Sequence, residues 1–488
     1  MRRPCILRSV LFSVAARAAT LGSAQQPFDL DTSFRTDLVH QNVNSLVLMD
    51  DGGVVISGQL KFPWEPSWLP PRSGAKLLPN GARDTFFEEY PLMGGKLQRW
   101  NGKLYAANGQ GLRRLNEDGS LDATFSMVSI PYFSIGQGGD YHVYPDGRVL
   151  FSGSHILTDS IRGFMGSHEL VWFFNNGYLD TTATHRSGNG PIYEIEQQPD
   201  GKFLCSGWLT QYDGQPCSHI FRVHPDGALD TTFHTDFTWG EANAFTTLPD
   251  GRILASGSLK RTGLSDTLQM VRLMPDGSLD NTFNNALSSP NEDFGELTSL
   301  GHTRLDDGRI VLHGNFYSVD GEPRRGIALL SENGFLLNDY FNGAGCGNYY
   351  DSWLQVNYHY TRGMVQDPSG NWYIYGTYIG YDDGTTNDPQ QRFVSRLYGL
   401  NVGVREVEEP VQLEVYPNPA HTSTTVRWAR PGSTQLRLLD VTGREVYRSA
   451  HQGTEAVLDL GGLPAGPYVI QITDQTHRRW SRTLIVEP

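Results

Sequence analysis

The sequence predicts an all-β chain: a seven-bladed β-propeller of four-stranded repeats, each about 53 residues long, followed by a small immunoglobulin-like β-sandwich. Three observations carry this reading. An Asp-Gly turn with an apolar run and a closing glycine returns along the chain. A second motif, Pro-Asp-Gly-x-Leu-Asp-x-Thr-Phe, alternates with it. No long segment has the 3.6-residue periodicity of an amphipathic helix.

The first motif runs Asp51-Gly52 to Gly58, Asp146-Gly147 to Gly153, Asp200-Gly201 to Gly207, Asp250-Gly251 to Gly257 and Asp307-Gly308 to Gly314. Weaker copies begin at Asn101-Gly102 and Ser369-Gly370, which makes seven. The second motif is clearest at Pro225–Phe233 and Pro275–Phe283, and shorter at Asp118–Phe125. Asp-Gly and Asn-Gly supply residues that tolerate the positive φ of tight turns. Strand-length apolar runs such as Arg252-Ile253-Leu254-Ala255-Ser256 flank them. Each unit therefore reads as four short strands.

The ends of the repeat region predict ring closure. Leu30-Asp31-Thr32-Ser33-Phe34 is an orphan second motif before the first full unit. Phe393–Leu397 reaches the last turn with no such motif after it. The N-terminal copy is expected to complete the last unit and latch a ring, which leaves no exposed strand edge. An open solenoid, the rival reading, needs caps at both ends, and none is evident. Tyr212-Asp213-Gly214-Gln215-Pro216 and Val319-Asp320-Gly321-Glu322-Pro323 add a further recurring turn. Together these motifs, over residues 28–399, resemble the delta-60 repeat family of exported bacterial proteins. The resemblance implies a propeller-like fold and brings no catalytic residues.

Composition narrows the function. With 488 residues, 54 glycines and only 19% charged residues, the chain suits turn-rich globular domains rather than disorder. Net charge is −14, and the four arginines of the first 24 residues leave the remainder more acidic still. Such a surface repels phosphate backbones, so no nucleic-acid partner is expected. Residues 1–24 read as an export signal, with Arg2-Arg3, a weakly apolar stretch interrupted by Arg8 and Arg17, and small residues at Ser23-Ala24. No later stretch is long and apolar enough for a spanning helix.

Residues 25–399 form the repeat domain, and the charged run around Val402–Pro410 reads as a linker over 400–411. Residues 412–488 carry short strands of a different kind, six or seven in number. Their signature is Val415-Tyr416-Pro417-Asn418-Pro419, then Leu439-Asp440-Val441-Thr442-Gly443-Arg444, then Leu463-Pro464-Ala465-Gly466-Pro467-Tyr468. Basic Arg478, Arg479 and Arg482 precede a short apolar end. This segment closely resembles the type A sorting domain of the Bacteroidetes type IX secretion system. The resemblance implies Tyr416, Pro417, Asn418, Pro419, Asp440, Gly443, Gly466 and Tyr468 as motif residues. It also implies the type IX machinery as partner, a surface or extracellular destination, and surface lipopolysaccharide as an attachment point after cleavage.

No catalytic constellation stands out: there is no Gly-x-Ser-x-Gly, no phosphate-binding loop and no His-Glu-x-x-His. Catalytic residues, metal ligands and cofactors are therefore expected to be none. Asp382, Asp383 and Asp388 are the densest acidic group and the place where calcium would be sought, although Pro-Asp-Gly turns explain most acids by themselves. Cys205 and Cys217 flank a predicted hairpin, with their pairing left open.

Two aromatic insertions break the repeat. One holds Trp64 and Trp68; the other holds Tyr349, Tyr350, Trp353 and Tyr358. Exposed flat rings suit stacking on sugars, and the alternative is that they plug the sheet surface. A binding role gains if both insertions leave one face. The sequence therefore reads as an exported, non-enzymatic binder of glycan or protein. The alternatives are a glycosidase with acids converging at the ring's centre and a purely structural surface protein.

Overall fold

A computed structural model describes residues 27–399 and 413–488, except 67, 90–92, 109–110, 128–129, 264–265, 291–298, 339–341, 353, 441–443 and 475–478. The proposed signal (1–24) and linker (400–411) lie outside the described residues. The chain divides into two compact units, Met1–Val402 and Gly403–Pro488.

Among the described residues the first unit holds a succession of seven antiparallel sheets of three or four strands, with three two-stranded hairpins between or beside them. Sheet 1 is His40–Leu48, Val54–Lys61 and Arg72–Leu77; sheet 2 is Leu97–Trp100, Lys103–Asn108 and Gly111–Asn116. Sheet 3 is Phe133–Val143, Val149–Asp159 and Phe164–Phe173; sheet 4 is Ile192–Gln197, Phe203–Gly207 and Ile220–Val223. Sheet 5 is Phe237–Thr247, Ile253–Arg261 and Leu268–Leu273; sheet 6 is Leu300–Arg304, Ile310–Gly314 and Ile327–Leu330. Sheet 7 is Tyr360–Gln366, Trp372–Asp382 and Asn387–Leu397, with Gly345–Cys346 extending its first edge. First strands pack against the first strands of neighbouring sheets, so they surround the axis.

The expected fourth strand is a correction. Leu-Asp-x-Thr-Phe pairs with its sheet through a single residue, as in Leu115↔Leu121, Val223↔Leu229 and Leu273↔Leu279. The next residue, an aspartate, then turns the chain away. Asp280 Oδ1 accepts both the backbone N–H and the hydroxyl of Thr282, at 2.9 and 2.6 Å. A carboxylate that captures the backbone two residues on ends a strand.

The motif's remaining atoms bind an arginine on the third strand. Arg272 Nε donates to Asp280 Oδ2 at 2.7 Å, its Nη2 donates to Thr282 Oγ1 at 2.9 Å, and its Cζ lies 5.0 Å from the Phe283 ring centroid. Arg114 with Asp122 and Phe125, and Arg222 with Asp230 and Phe233, repeat the arrangement. Each guanidinium also reaches the next sheet: Arg114 to Asn175 O at 2.8 Å, Arg222 to Pro275 O at 3.0 Å, Arg272 to Glu332 O at 3.0 Å. The residue after the phenylalanine donates its N–H to the same turn of the next sheet, as Glu88 to Asp118 O and His234 to Asp276 O. Gly119 holds φ +90°, and a Cβ there would overlap Glu88 O, so the turn glycine also admits the neighbouring sheet.

Closure follows the expected route. Leu30 bridges Leu397, Asp31 N–H donates to Arg396 O at 2.8 Å, and Phe28 N–H donates to Tyr398 O at 2.9 Å. Phe34, Leu46 and Val54 share one core with Tyr373 and Val394, which joins sheet 7 to sheet 1.

The second unit has five strands among the described residues, not six or seven: Glu414–Tyr416, Ser423–Leu439, Glu445–Asp459, Gly466–Asp474 and Arg479–Val486. The segments expected as two strands, 424–429 and 434–441, are one long strand whose register breaks between Arg427 and Gly432. Val426 and Trp428 before the break share a core with Leu436 and Leu438 after it, so the bent strand lines one core along both its halves within a single five-stranded sheet.

Candidate ligand-binding face

Both aromatic insertions leave the ring at one end. In sheet 1, His40 pairs with Lys61, so the start of the first strand adjoins the point where Phe62–Pro71 departs. The Tyr349 hydroxyl meets that corner, accepting from Gln41 N–H at 3.3 Å and lying 3.0 Å from His40 Nδ1. Phe62 and Tyr349 lie in the same core.

The six expected aromatics divide. Tyr349 is only 7% exposed and sits edge-on to Phe393 at 5.6 Å. Tyr358 packs against the same core. These two plug the sheet surface. Trp68 is 79% exposed and Tyr350 53%. Trp64, 57% exposed, stacks on buried Phe62 at 5.1 Å and 18°. Trp353 lies outside the described residues.

The first insertion is held by charge. Glu65 accepts Phe62 N–H at 2.9 Å, and Arg72 bridges Glu65 and Glu89. Burial pushes Glu65 up, but these donors outweigh it and leave the carboxyl below its usual range. Beside the loop lies a cleft of about 780 Å³ lined by Gln59, Glu65, Leu69, Arg72, Glu89 and Asn108. The lining is amide, carboxylate and guanidinium beside an exposed indole, a composition that suits a polyhydroxylated ligand.

A second group, not anticipated from the sequence, lies on the first strands around the axis. Lys96 Nζ donates to both oxygens of Asp140, at 2.7 and 2.9 Å. Glu194, Glu196 and Glu241 follow on sheets 4 and 5. Burial drives the Glu194 carboxyl well above its usual range, and the charge of Asp140 adds to this. Glu241 is also raised by burial, although Trp208 Nε1–H donates to its Oε2 at 2.9 Å. The repeat held a signal for Trp208. The residue after the closing glycine is Gln59, Gln110, Ser154, Ser258, Asn315 or Thr377 elsewhere, and an aromatic only in sheet 4.

The other sequence expectations also find places. Asp382 accepts Gly384 N–H; Asp383 accepts the N–H groups of Leu30 and Thr385; Asp388 pairs with Arg35. Cys205, Cys217 and Cys346 are free thiols. In the second unit, Asn418 Nδ2 donates to Thr483 O at 2.7 Å and its Oδ1 accepts Ile485 N–H at 2.9 Å. Tyr468 donates to Pro464 O at 2.8 Å, and Asp440 receives Arg444 N–H and Nε–H at 3.1 and 3.0 Å. Tyr416 is exposed, Pro417 O accepts Thr424 Oγ1–H at 2.7 Å, and Gly466 opens the fourth strand. Pro419 is exposed, and Gly443 lies outside the described residues.

Ring and tail together define an exported all-β repeat protein with a dedicated sorting domain. Residues 414–487 match the secretion system C-terminal sorting domain, and residues 105–125, 198–233, 248–283 and 305–336 match the DUF5122 beta-propeller, a domain of unknown function. The sorting domain marks export through the type IX system to the cell surface or extracellular space. An endo-acting ulvan lyase of Formosa agariphila is 32% identical over 76 residues, a stretch that covers 15% of this chain and 15% of the lyase. Among solved structures, the extracellular domain of a hybrid two component system from B. thetaiotaomicron aligns at 11% identity and TM-score 0.38. That alignment covers 92% of this chain and 56% of the other. PorZ, a surface component of the type IX system of Porphyromonas gingivalis, aligns at 12% identity and TM-score 0.24, covering 93% and 75%.

Proposed function

We propose that this chain is a non-catalytic binding module whose ring binds a glycan through the insertion-bearing face. After export, the sorting domain is removed and the ring is released or joined to surface lipopolysaccharide. One observation supports the reading most: both insertions share one end of the ring, where Trp68, Trp64 and Tyr350 stay exposed and where Glu65 and Leu69 of the first insertion line a cleft of about 780 Å³. Flat rings held out from a rigid scaffold provide stacking surface at small entropic cost. Glycan-array binding by the full chain, compared with a Trp64→Ala, Trp68→Ala variant, tests it.

One observation favours a second reading, a glycan-cleaving enzyme. Glu194, driven well above the usual carboxylate range by burial, neighbours Asp140, whose carboxylate is bound to Lys96. Carboxyls in contrasting environments are the means by which glycosidases separate acid from base. Reducing-sugar release by the wild type, abolished in Glu194→Gln, would establish it.

A further inference from the structure

We propose a second saccharide subsite at the mouth of the ring, centred on Trp208 and selective for glycans without acidic substituents. It rests on the glycan-binding reading and adds a site and a ligand class to it.

Trp208 follows the second strand of sheet 4, and Trp239 lies near the start of the first strand of sheet 5. In both sheets this is the end at which first strands begin and second strands finish, the end that carries the insertions in sheets 1 and 7. The Trp208 ring is fixed on three sides. Trp239 meets it edge-on at 5.8 Å and 76°, and His219 meets it at 5.7 Å and 69°. Its Nε1–H donates to Glu241 Oε2 at 2.9 Å. His219 is itself held by Nδ1 donating to Gly240 O at 2.8 Å. The indole is nonetheless 40% exposed. Tyr349, by contrast, is clamped and buried.

A rigid, exposed indole pays little entropy when the apolar face of a pyranose lies on it. Polar groups stand around it. Glu241 faces the indole edge, and Tyr193, whose phenol is raised by burial and by the nearby Glu241 charge, accepts Gln137 Nε2–H at 2.5 Å. Carboxylate and amide oxygens accept hydrogen bonds from sugar hydroxyls. Charge sets the selectivity. Glu196 and Glu241 stand on the same inner strands, Lys96 is engaged by Asp140, and the chain as a whole carries −14. A uronate or sulfate brought there meets like charge in a partly desolvated site, and the repulsion is not offset.

Titration calorimetry on the full chain tests this, with neutral hexaoses (cello-, xylo-, manno- and chitohexaose) and hexagalacturonate as probes. At least one neutral hexaose is expected to bind saturably. Affinity should fall about tenfold or more in Trp208→Ala and stay within about threefold in Trp208→Phe, the scale of an aromatic hot spot. Hexagalacturonate should not bind. Unchanged affinity in Trp208→Ala, or hexagalacturonate binding as well as the neutral sugars, overturns the subsite. A parallel Trp64→Ala, Trp68→Ala variant separates the two claims. If it alone loses binding, the insertion site stands and this one falls; if no sugar binds the wild type, both fall.

Discussion

Arg396 donates from Nε to Asp31 Oδ2 at 2.8 Å across 365 residues of sequence. It also donates to Pro79 O at 2.9 Å and lies over the Phe34 ring at 5.3 Å. One guanidinium thus joins the N-terminal segment, sheet 7 and sheet 1, in the geometry that Arg272 and Asp280 show inside the ring.

Removing that arginine leaves Asp31, which is 5% exposed, without its counter-ion. Arg396→Ala is expected to cost about 3–5 kcal/mol, the range for one partner of a buried pair. Arg427→Ala, which breaks an exposed pair with Glu455, should cost less than about 1 kcal/mol. Urea unfolding of the full chain compares them, and equal costs would contradict the clamp.

Stability should fall on mild acidification because four histidines are buried neutral. Burial pushes His302 down to about 3, and His155, His185 and His313 down to about 4, against an ordinary 6.5. As pH drops below 6.5 the unfolded chain takes up protons that the folded chain refuses. Stability is therefore lost between pH 6.5 and about 4, by about 3 kcal/mol per histidine at the lower end. A second loss follows below about pH 4. Burial favours protonation of Asp122, but Thr124 and Arg114 outweigh it and hold the carboxyl at about 2, so its contribution disappears as pH falls toward that value. Urea midpoints from pH 7.5 to 4 measure the slope, and His302→Gln should lower it by about one proton. A flat profile above pH 4 would contradict neutral burial.

Asn418 fastens the last strand of the sorting domain through both amide atoms. Asn418→Ala removes two hydrogen bonds, worth about 1 kcal/mol each. It should raise the fraction of protein retained inside the cell, read by immunoblot of medium, surface and periplasm. Wild-type export by this variant would show that the fastening is dispensable for sorting.

Ring architecture was legible because turn chemistry repeats: an Asp-Gly turn or a weaker Asn-Gly or Ser-Gly copy marks every sheet, and Leu-Asp-x-Thr-Phe follows sheets 2, 4 and 5 intact. The orphan motif at Leu30–Phe34 even revealed the closure. Strand number was less legible. The sequence shows that Asp280 follows Leu279, but not that its carboxylate folds back on Thr282 and ends the strand. The third-strand arginine was hidden as well, because its partner lies eight residues on and its acceptor in the next sheet. At the site, Trp64 and Trp68 stood out by breaking the repeat. Trp208, Glu194 and Glu241 sit within it, and only the ring brings residues of separate sheets to one mouth.

The central claim is that the insertion-bearing face binds glycan. Glycan-array binding by the full secreted chain, beside its Trp64→Ala, Trp68→Ala variant, tests it most directly. The account predicts reproducible binding to a defined set of glycans that falls about tenfold or more in the variant. No binding by the wild type, or binding unchanged in the variant, would contradict it.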